Sequence, residues 1–390
     1  MSRRQPPAVL LAASYGMRVG YAWNNIYRLF NVLIRAFHQH GLRVCVSFRE
    51  MDGPITVFDA DLPYETFVFD PRRVTATSIR RFRHDLRSHG IAYVYLTDQP
   101  SVRWDYPLMR ASGVRAIVSH NRISVADPHP AKTARGLRGL TKRVANRLPW
   151  ASVDRVFAVS DFVRNRLLAN GVPSSRVRTI LNGIDVDAWQ CCEPPPDPSL
   201  VTFFAAARAA RYKGVLDLIE AAAQLRTRFE VDQFRLRYAG DGPDLALFAE
   251  AVRQRGLDGH VTLLGRLDDT RAELCRADVI VVPSAYGDAC PSTVSEALAS
   301  GRPLIATRAG GIPELVGGDS NALMVPPGDP PAMAAAMAEL AGRPDRRREI
   351  GGRGRGRAEQ ALRQDTYHAS VTRALFAEFG LGEPPPVSPS

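Results

Sequence analysis

Short apolar runs alternate with longer segments of helical periodicity along the whole chain. Runs near Val9–Ala13, Leu42–Phe48, Thr66–Phe69, Ala92–Leu96, Val114–Ser119, Arg155–Val159 and Val177–Leu181 predict strands in the first half. A second series near Val201–Ala205, Phe234–Ala239, Val261–Leu264, Val279–Val282, Pro303–Ala306 and Ala322–Val325 repeats the scheme. The run Val279–Val282 is continuously apolar and stops at Pro283, as expected for a parallel strand covered on both faces. Strands alternating with helices predict an α/β chain of two doubly wound, Rossmann-like parallel sheets facing a cleft, with ligands at the C-terminal strand ends. The proline-rich stretch Asp187–Pro196 reads as the connection between them. Residues 1–185 are therefore expected to form one domain and 186–365 the other. A helix over 366–380 is expected to return to the first, and a proline-rich tail over 381–390 to be disordered.

Composition narrows the class. The chain has 390 residues, 45% of them hydrophobic, and no apolar run long enough to cross a bilayer, so a soluble two-domain protein is expected. No secretory signal is visible at the N-terminus. Cys45, Cys191, Cys192, Cys275 and Cys290 are odd in number and lack metal-type spacing, and vicinal Cys191–Cys192 would be a poor disulfide. They are read as inert, in a reducing, cytoplasmic setting. A formal net charge of +11 suits an anionic small ligand, an anionic membrane surface or nucleic acid.

The densest candidate chemistry lies from Pro283 to Gly301, where Asp288 and Glu296 stand with seven residues between them across a helix start. Small and turn-forming residues precede the helix, and Pro291 suits its first position. The N–H groups of Ser292 and Thr293 would then favour a phosphate, with Glu296 a turn further in, facing a sugar hydroxyl. An ordinary capped helix is the alternative. Arg208 and Lys213 follow the strand Val201–Ala205, where a guanidinium and an ammonium could hold a diphosphate, or could simply be solvated. Gly240-Asp241-Gly242-Pro243, Gly265-Arg266 and Gly310-Gly311-Ile312-Pro313-Glu314 each follow a strand and are individually ordinary turn chemistry.

Together with Asn182-Gly183-Ile184-Asp185 and Pro283-Ser284, this ordered set resembles the retaining, nucleotide-sugar-dependent glycosyltransferases of family 4, which have the GT-B architecture. The resemblance is dense over residues 150 to 340. It implies that Arg208 and Lys213 hold the donor diphosphate, that Glu296 meets the ribose, that Asp288 meets the donor sugar, and that the base lies around Gly240 and Arg266. Two departures stand out. Asp288 replaces the usual Glu, which shortens the reach by a methylene, and Ala207 replaces the glycine before the phosphate arginine.

The first half matches less closely. Gly20 is the best equivalent of the glycines that receive the donor phosphate after the first strand, and the resemblance places His120 near the donor sugar. On residues alone His120 is equally a turn residue. Asp98 and Asn121 are acceptor-side candidates. Lys132, Arg135, Arg138, Lys142, Arg143 and Arg147, interleaved with Leu137, Leu140, Val144 and Leu148, suggest a basic amphipathic helix. It is read first as packing on the sheet, with an anionic membrane as the alternative.

The reading is a retaining hexosyltransferase moving a sugar from a nucleotide-diphosphate sugar to an acceptor hydroxyl on a glycan, lipid-linked sugar or small molecule. No metal and no cofactor beyond that co-substrate are expected. Asp59-Ala60-Asp61 matches the Asp-x-Asp of metal-dependent transferases, yet lies in the wrong half. A nucleotide-sugar epimerase is the alternative within enzymes. Nucleic-acid binding is disfavoured, because no basic stripe is interleaved with aromatics.

Overall fold

The computed structural model describes residues 5–16, 24–50, 55, 58–59, 61–67, 76–122, 137–191, 200–229 and 231–386. Its elements begin with β1 (Ala8–Gly16), α1 (Asn24–Gln39), β2 (Arg43–Glu50), β3 (Glu65–Thr66), α2 (Ala76–Ser88), β4 (Ile91–Thr97) and α3 (Tyr106–Ala111). Next come β5 (Ala116–Asn121), α4 (Leu137–Arg147), β6 (Arg155–Ala158), α5 (Asp161–Ala169) and β7 (Val177–Thr179). The second half runs β8 (Val201–Ala206), α6 (Val215–Arg228), β9 (Phe234–Ala239), α7 (Leu245–Gln254), β10 (Val261–Gly265), α8 (Arg271–Arg276) and β11 (Val279–Val282). It continues through α9 (Ser292–Ser300), β12 (Leu304–Thr307), α10 (Ile312–Val316), β13 (Leu323–Val325), α11 (Pro330–Gly342), α12 (Pro344–Ala361) and α13 (Gln364–Phe379).

Each apolar run of the sequence overlaps a strand, although Thr66–Phe69 does so only at Thr66, with residues 68 and 69 outside those described. Seven build a parallel sheet in the order β3-β2-β1-β4-β5-β6-β7, and six build another in the order β10-β9-β8-β11-β12-β13. In both sheets the order reverses beside the first strand, between β1 and β4 and between β8 and β11. The loops diverging there leave space for a ligand at the C-terminal strand ends.

Among the described residues, the first compact unit holds everything up to Leu181 together with Asp365 onward, and the second holds Asn182–Gln364. The division falls before Asn182 and not after residue 185, because Ile184 is already tied to the second unit. It bridges Arg363 in parallel, donates its N–H to the Leu362 carbonyl (2.7 Å) and accepts from the Gln364 N–H at its own carbonyl (2.9 Å). In the first unit, α13 packs on the sheet and α1 through Phe376 stacked on Phe37 (5.2 Å) and Phe379 stacked on Tyr93 (4.8 Å). Leu381, placed in the disordered tail by the sequence reading, packs against the same core.

Two further expectations change. Cys191 and Cys275 form a disulfide that ties the start of the second unit to α8, since their Cα atoms lie 5.4 Å apart, well within bridging range. The periodicity of α4 does not pack Leu140 and Val144 on the sheet. The helix instead turns Asn146 inward, where it accepts from the Ser101 hydroxyl (2.7 Å) and donates to the Asn170 carbonyl (3.1 Å).

Candidate functional site

At the β8/β11 switch of the second unit, glycines set the geometry. The loop after β8 turns through Arg211–Lys213 and ends at Gly214 in the left-handed region, φ 70°. A Cβ there would stand 1.8 Å from the Pro283 carbonyl oxygen, so only glycine lets this loop lie on the end of β11. The Ala285 N–H donates to the Tyr212 carbonyl (2.9 Å) across the same contact. Gly310 does the same from the other side: its Cβ would stand 2.0 Å from the Asp288 carbonyl, which accepts the Gly311 N–H at 2.8 Å.

This closeness brings Lys213 against Asp288. The Lys213 Nζ lies 2.7 Å from Asp288 Oδ2, and the Ser284 hydroxyl donates to the same oxygen at 2.6 Å. Both charged side chains are mostly buried. The expected pair of cations therefore splits into unlike members. Arg208 is exposed and makes no ion pair among the described residues, whereas Lys213 is neutralised by the carboxylate that the resemblance assigns to the donor sugar. Ser284 was quoted but given no role in the sequence reading, although Pro283-Ser284 after a buried strand was its only signal.

Pro291 is the N-cap of α9 and not its first helical residue. Its ψ of 126° is extended, and Ser292 opens the helix. The Thr293 hydroxyl donates to the Ala206 carbonyl at the end of β8 (2.9 Å), which fixes α9 to the switch point. The Ser292 and Thr293 N–H groups meet no acceptor among the described residues, as an anion-binding helix start requires. Glu296 is buried, hydrogen-bonded by the Ser292 hydroxyl, and burial pushes its carboxyl up to about 7. Around Gly240, the base-region candidate, a Cβ would stand 1.8 Å from the Ala207 carbonyl, which also accepts the Tyr238 hydroxyl at 2.7 Å. Arg266 is exposed, with Asp268 at 3.9 Å. Asn182 contacts Cys290, whose thiol burial raises to about 12, and the Asn182 Oδ1 is buried without a partner among the described residues.

In the first unit His120 lies within β5 and not in the turn after it. It is fully buried between the edges of Tyr95 and Phe157, with Tyr367 of α13 beside it. The Tyr95 hydroxyl is 2.7 Å from Nδ1, and the Arg122 guanidinium, which also donates to the Tyr367 hydroxyl (2.8 Å), is 3.4 Å from the same nitrogen. A guanidinium can only donate, so Nδ1 accepts and Nε2 carries the proton. That buried Nε2–H has no partner among the described residues. Burial, then Arg122, holds the imidazole well below its usual range and therefore neutral.

Asp98 joins this arrangement through the backbone. At φ 54° its carboxylate Oδ1 accepts the Arg122 backbone N–H (2.6 Å) and its own backbone N–H donates to the His120 carbonyl (2.8 Å). Asn121 ends the strand, its carbonyl accepting the Val159 N–H (3.2 Å) and its Oδ1 approached by the Ser119 hydroxyl at 3.5 Å. Tyr95, Arg122 and Tyr367 were assigned no role from sequence; only Arg122's place beside His120 signalled one. Gly20 lies outside the described residues, as do Lys132 and Arg135. Asp59 and Asp61 both meet the Arg35 guanidinium, at 2.7 and 3.5 Å.

With this geometry in hand, two family models fit most of the chain: "Glycosyltransferase Family 4" over residues 28–188 and "Glycosyl transferases group 1" over 198–343. Together the two matches show a glycosyltransferase of family 4 type. The chain is 31% identical over 247 residues to the MMP alpha-(1->4)-mannosyltransferase of Mycolicibacterium hassiacum, which covers 62% of this chain and 57% of that one. It is 26% identical over 316 residues to a GDP-mannose-dependent alpha-(1-6)-phosphatidylinositol monomannoside mannosyltransferase of Mycobacterium tuberculosis, covering 76% and 78%. The chain spans about half the length of the first curated relatives it matches. Its family 4 fold superposes on Anabaena Alr3699/HepE, solved with UDP and glucose, with a TM-score of 0.75 at 18% identity over 95% of this chain and 99% of that one. The fold is GT-B.

Proposed function

We propose that the chain is a retaining glycosyltransferase that moves a sugar from a nucleotide-diphosphate sugar to an acceptor hydroxyl. The observation that carries this is the switch point of the second unit. There a guanidinium (Arg208) without an ion pair and a helix start (Ser292, Thr293) whose N–H groups meet no acceptor, both among the described residues, join a buried carboxyl (Glu296) beside loops locked by Gly214 and Gly310. As the sugar–phosphate bond loosens, the leaving diphosphate gains charge, and fixed donors stabilise it without reorganising. Glu296, when ionised, accepts the two ribose hydroxyls. Lys213 holds Asp288 at the sugar and adds positive charge beside the phosphates. On the first unit, the His120 Nε2–H donates to a sugar hydroxyl.

The relatives named as mannosyltransferases, one of them GDP-mannose-dependent, favour a hexose donor. The test is a thermal-shift screen against UDP, GDP, ADP and their sugars, since a ligand bound only to the folded state stabilises it by mass action. One nucleotide series should raise the transition, and its sugar should be transferred to an added glycoside with the anomeric configuration kept. Activity should survive chelator, because side-chain cations and a helix start meet the diphosphate. No shift with any nucleotide, or turnover that isomerises the sugar without transfer, would overturn the reading.

A further inference from the structure

Among the described residues, the exposed large apolar side chains are Trp104, Leu140, Val144 and Trp150, at 43, 60, 51 and 57% exposure. All four fall on one region of the first unit. The antiparallel bridge between Val102 and Ser152 runs the two tryptophan segments side by side, each tryptophan two residues from the bridge on the same end. On α4, Leu140, Arg143, Val144 and Arg147 stand at i, i+3, i+4 and i+7, within one face of the helix, while Asn146, about 100° round the helix from Arg147, is buried and anchors it to the Ser101 hydroxyl. Arg143 and Arg147 are exposed, and the Arg143 stem runs over Gly171, where a Cβ would stand 2.4 Å from its Cγ. The sequence from Asp127 to Asp154 contains no acid between those two residues, yet carries six cations.

We propose that this face docks on an anionic lipid surface. Leucine and valine would enter the acyl boundary, the tryptophan rings would sit at headgroup depth, and Arg143 and Arg147 would extend to the lipid phosphates. Exposed apolar side chains gathered in one place mark an interaction surface, and the exposed cations of α4, unaccompanied by any acid on that helix, select the partner. A second copy of the chain would bring like charge against like charge. This surface lies on the first unit and does not depend on the donor chemistry.

The experiment is co-sedimentation of the full chain with vesicles of phosphatidylcholine alone or with one-third phosphatidylglycerol, together with tryptophan emission. Wild type should bind only the anionic vesicles, with a blue shift quenched by brominated lipid. Arg143→Gln with Arg147→Gln should weaken binding roughly 30-fold, from the usual attraction per cation near a charged bilayer. Trp104→Ser with Trp150→Ser should remove the blue shift, with thermal transitions of both double variants near that of wild type. Equal binding to neutral vesicles, or binding unaltered by both double variants, would overturn the proposal. So would a concentration-dependent dimer that the tryptophan variant abolishes without any vesicle binding.

Discussion

The two sheets reverse their strand order in the same way, yet the chemistry at the two reversals is opposite. In the second unit the β8/β11 edge is built from charges: a mostly buried Lys213–Asp288 pair, an Arg208 without an ion pair among the described residues and a carboxyl, Glu296, held near neutrality by burial. In the first unit the groups beside β4 and β5 are a neutral imidazole and two phenols in an aromatic shell, with charge carried by Arg122 and by the Asp98 carboxylate that accepts its backbone N–H. Topology therefore places a site, while the loops decide whether it is electrostatic or shaped by hydrogen bonds.

Breaking the ion pair tests the charged edge most severely. Lys213→Ala leaves Asp288 buried without its cation, so roughly 3–5 kcal/mol of stability should go with a rate loss of about a hundredfold or more. Arg208→Ala should lose the rate and keep the melting temperature, because its guanidinium makes no ion pair among the described residues. Steady-state kinetics and calorimetry on both variants separate the roles. Equal melting losses would show that Lys213 is not the buried partner described here.

The second unit is also stapled, whereas no disulfide joins described residues of the first. Cys191–Cys275 closes a loop of 84 residues, which in the chain-entropy account stabilises by roughly 4–5 kcal/mol. Reductant should lower the unfolding transition of the second unit and leave that of the first in place. A Cys275→Ser chain should show the lower transition without reductant. Unchanged urea midpoints in both would remove the staple.

The two edges should respond to pH with opposite signs. Burial holds the folded Glu296 at about 7 against 4.5 for the free side chain, so between those values the folded state binds more proton than the unfolded one. Stability from this group falls as pH rises across that window, by roughly 3 kcal/mol, and is flat above it. In the first unit burial lowers His120 and brings His368 to about 4, so the unfolded state binds more proton below 6.5 and stability falls as pH drops. Comparing wild type with Glu296→Gln between pH 5 and 8 isolates the first term. Parallel pH curves for the two chains would contradict it. Nucleotide affinity should rise over the same range as the carboxylate ionises.

Much of the charged edge could be read from sequence, because glycine, acid and base are rare enough that their order after a strand is informative. Arg208, Lys213, Asp288 and Gly310 were placed after strands and Glu296 a turn into the following helix, and the strands themselves were marked by short runs rich in apolar residues, unbroken in Val279–Val282. What was hidden is pairing. Nothing in spacing says that Lys213 meets Asp288, or that Cys191 meets Cys275, because both contacts are made by the sheet bringing distant loops together. The neutral edge was less visible still. Tyr95 sits inside an apolar strand and Tyr367 in a helix 245 residues beyond Arg122, so each looks like core until the fold joins them at His120. The exposure of Leu140 and Val144 was hidden for a similar reason: periodicity marks a stripe but not which way the helix is rolled.

The smallest effect expected is at that neutral edge. Tyr95→Phe removes only the hydroxyl 2.7 Å from His120 Nδ1, leaving the ring in its aromatic shell and the Arg122 guanidinium as the remaining donor. About 1 kcal/mol of stability should be lost, the usual net value of one neutral hydrogen bond. If Tyr95 fixes the tautomer and tilt that present Nε2–H to a sugar, kcat should fall several-fold with KM nearly constant, because orientation matters most as the bond breaks. A melting shift with no kinetic change would make Tyr95 a packing residue. A rise in KM alone would mean that His120 contributes to ground-state binding, and the first unit would then act on the substrate before the reaction and not during it.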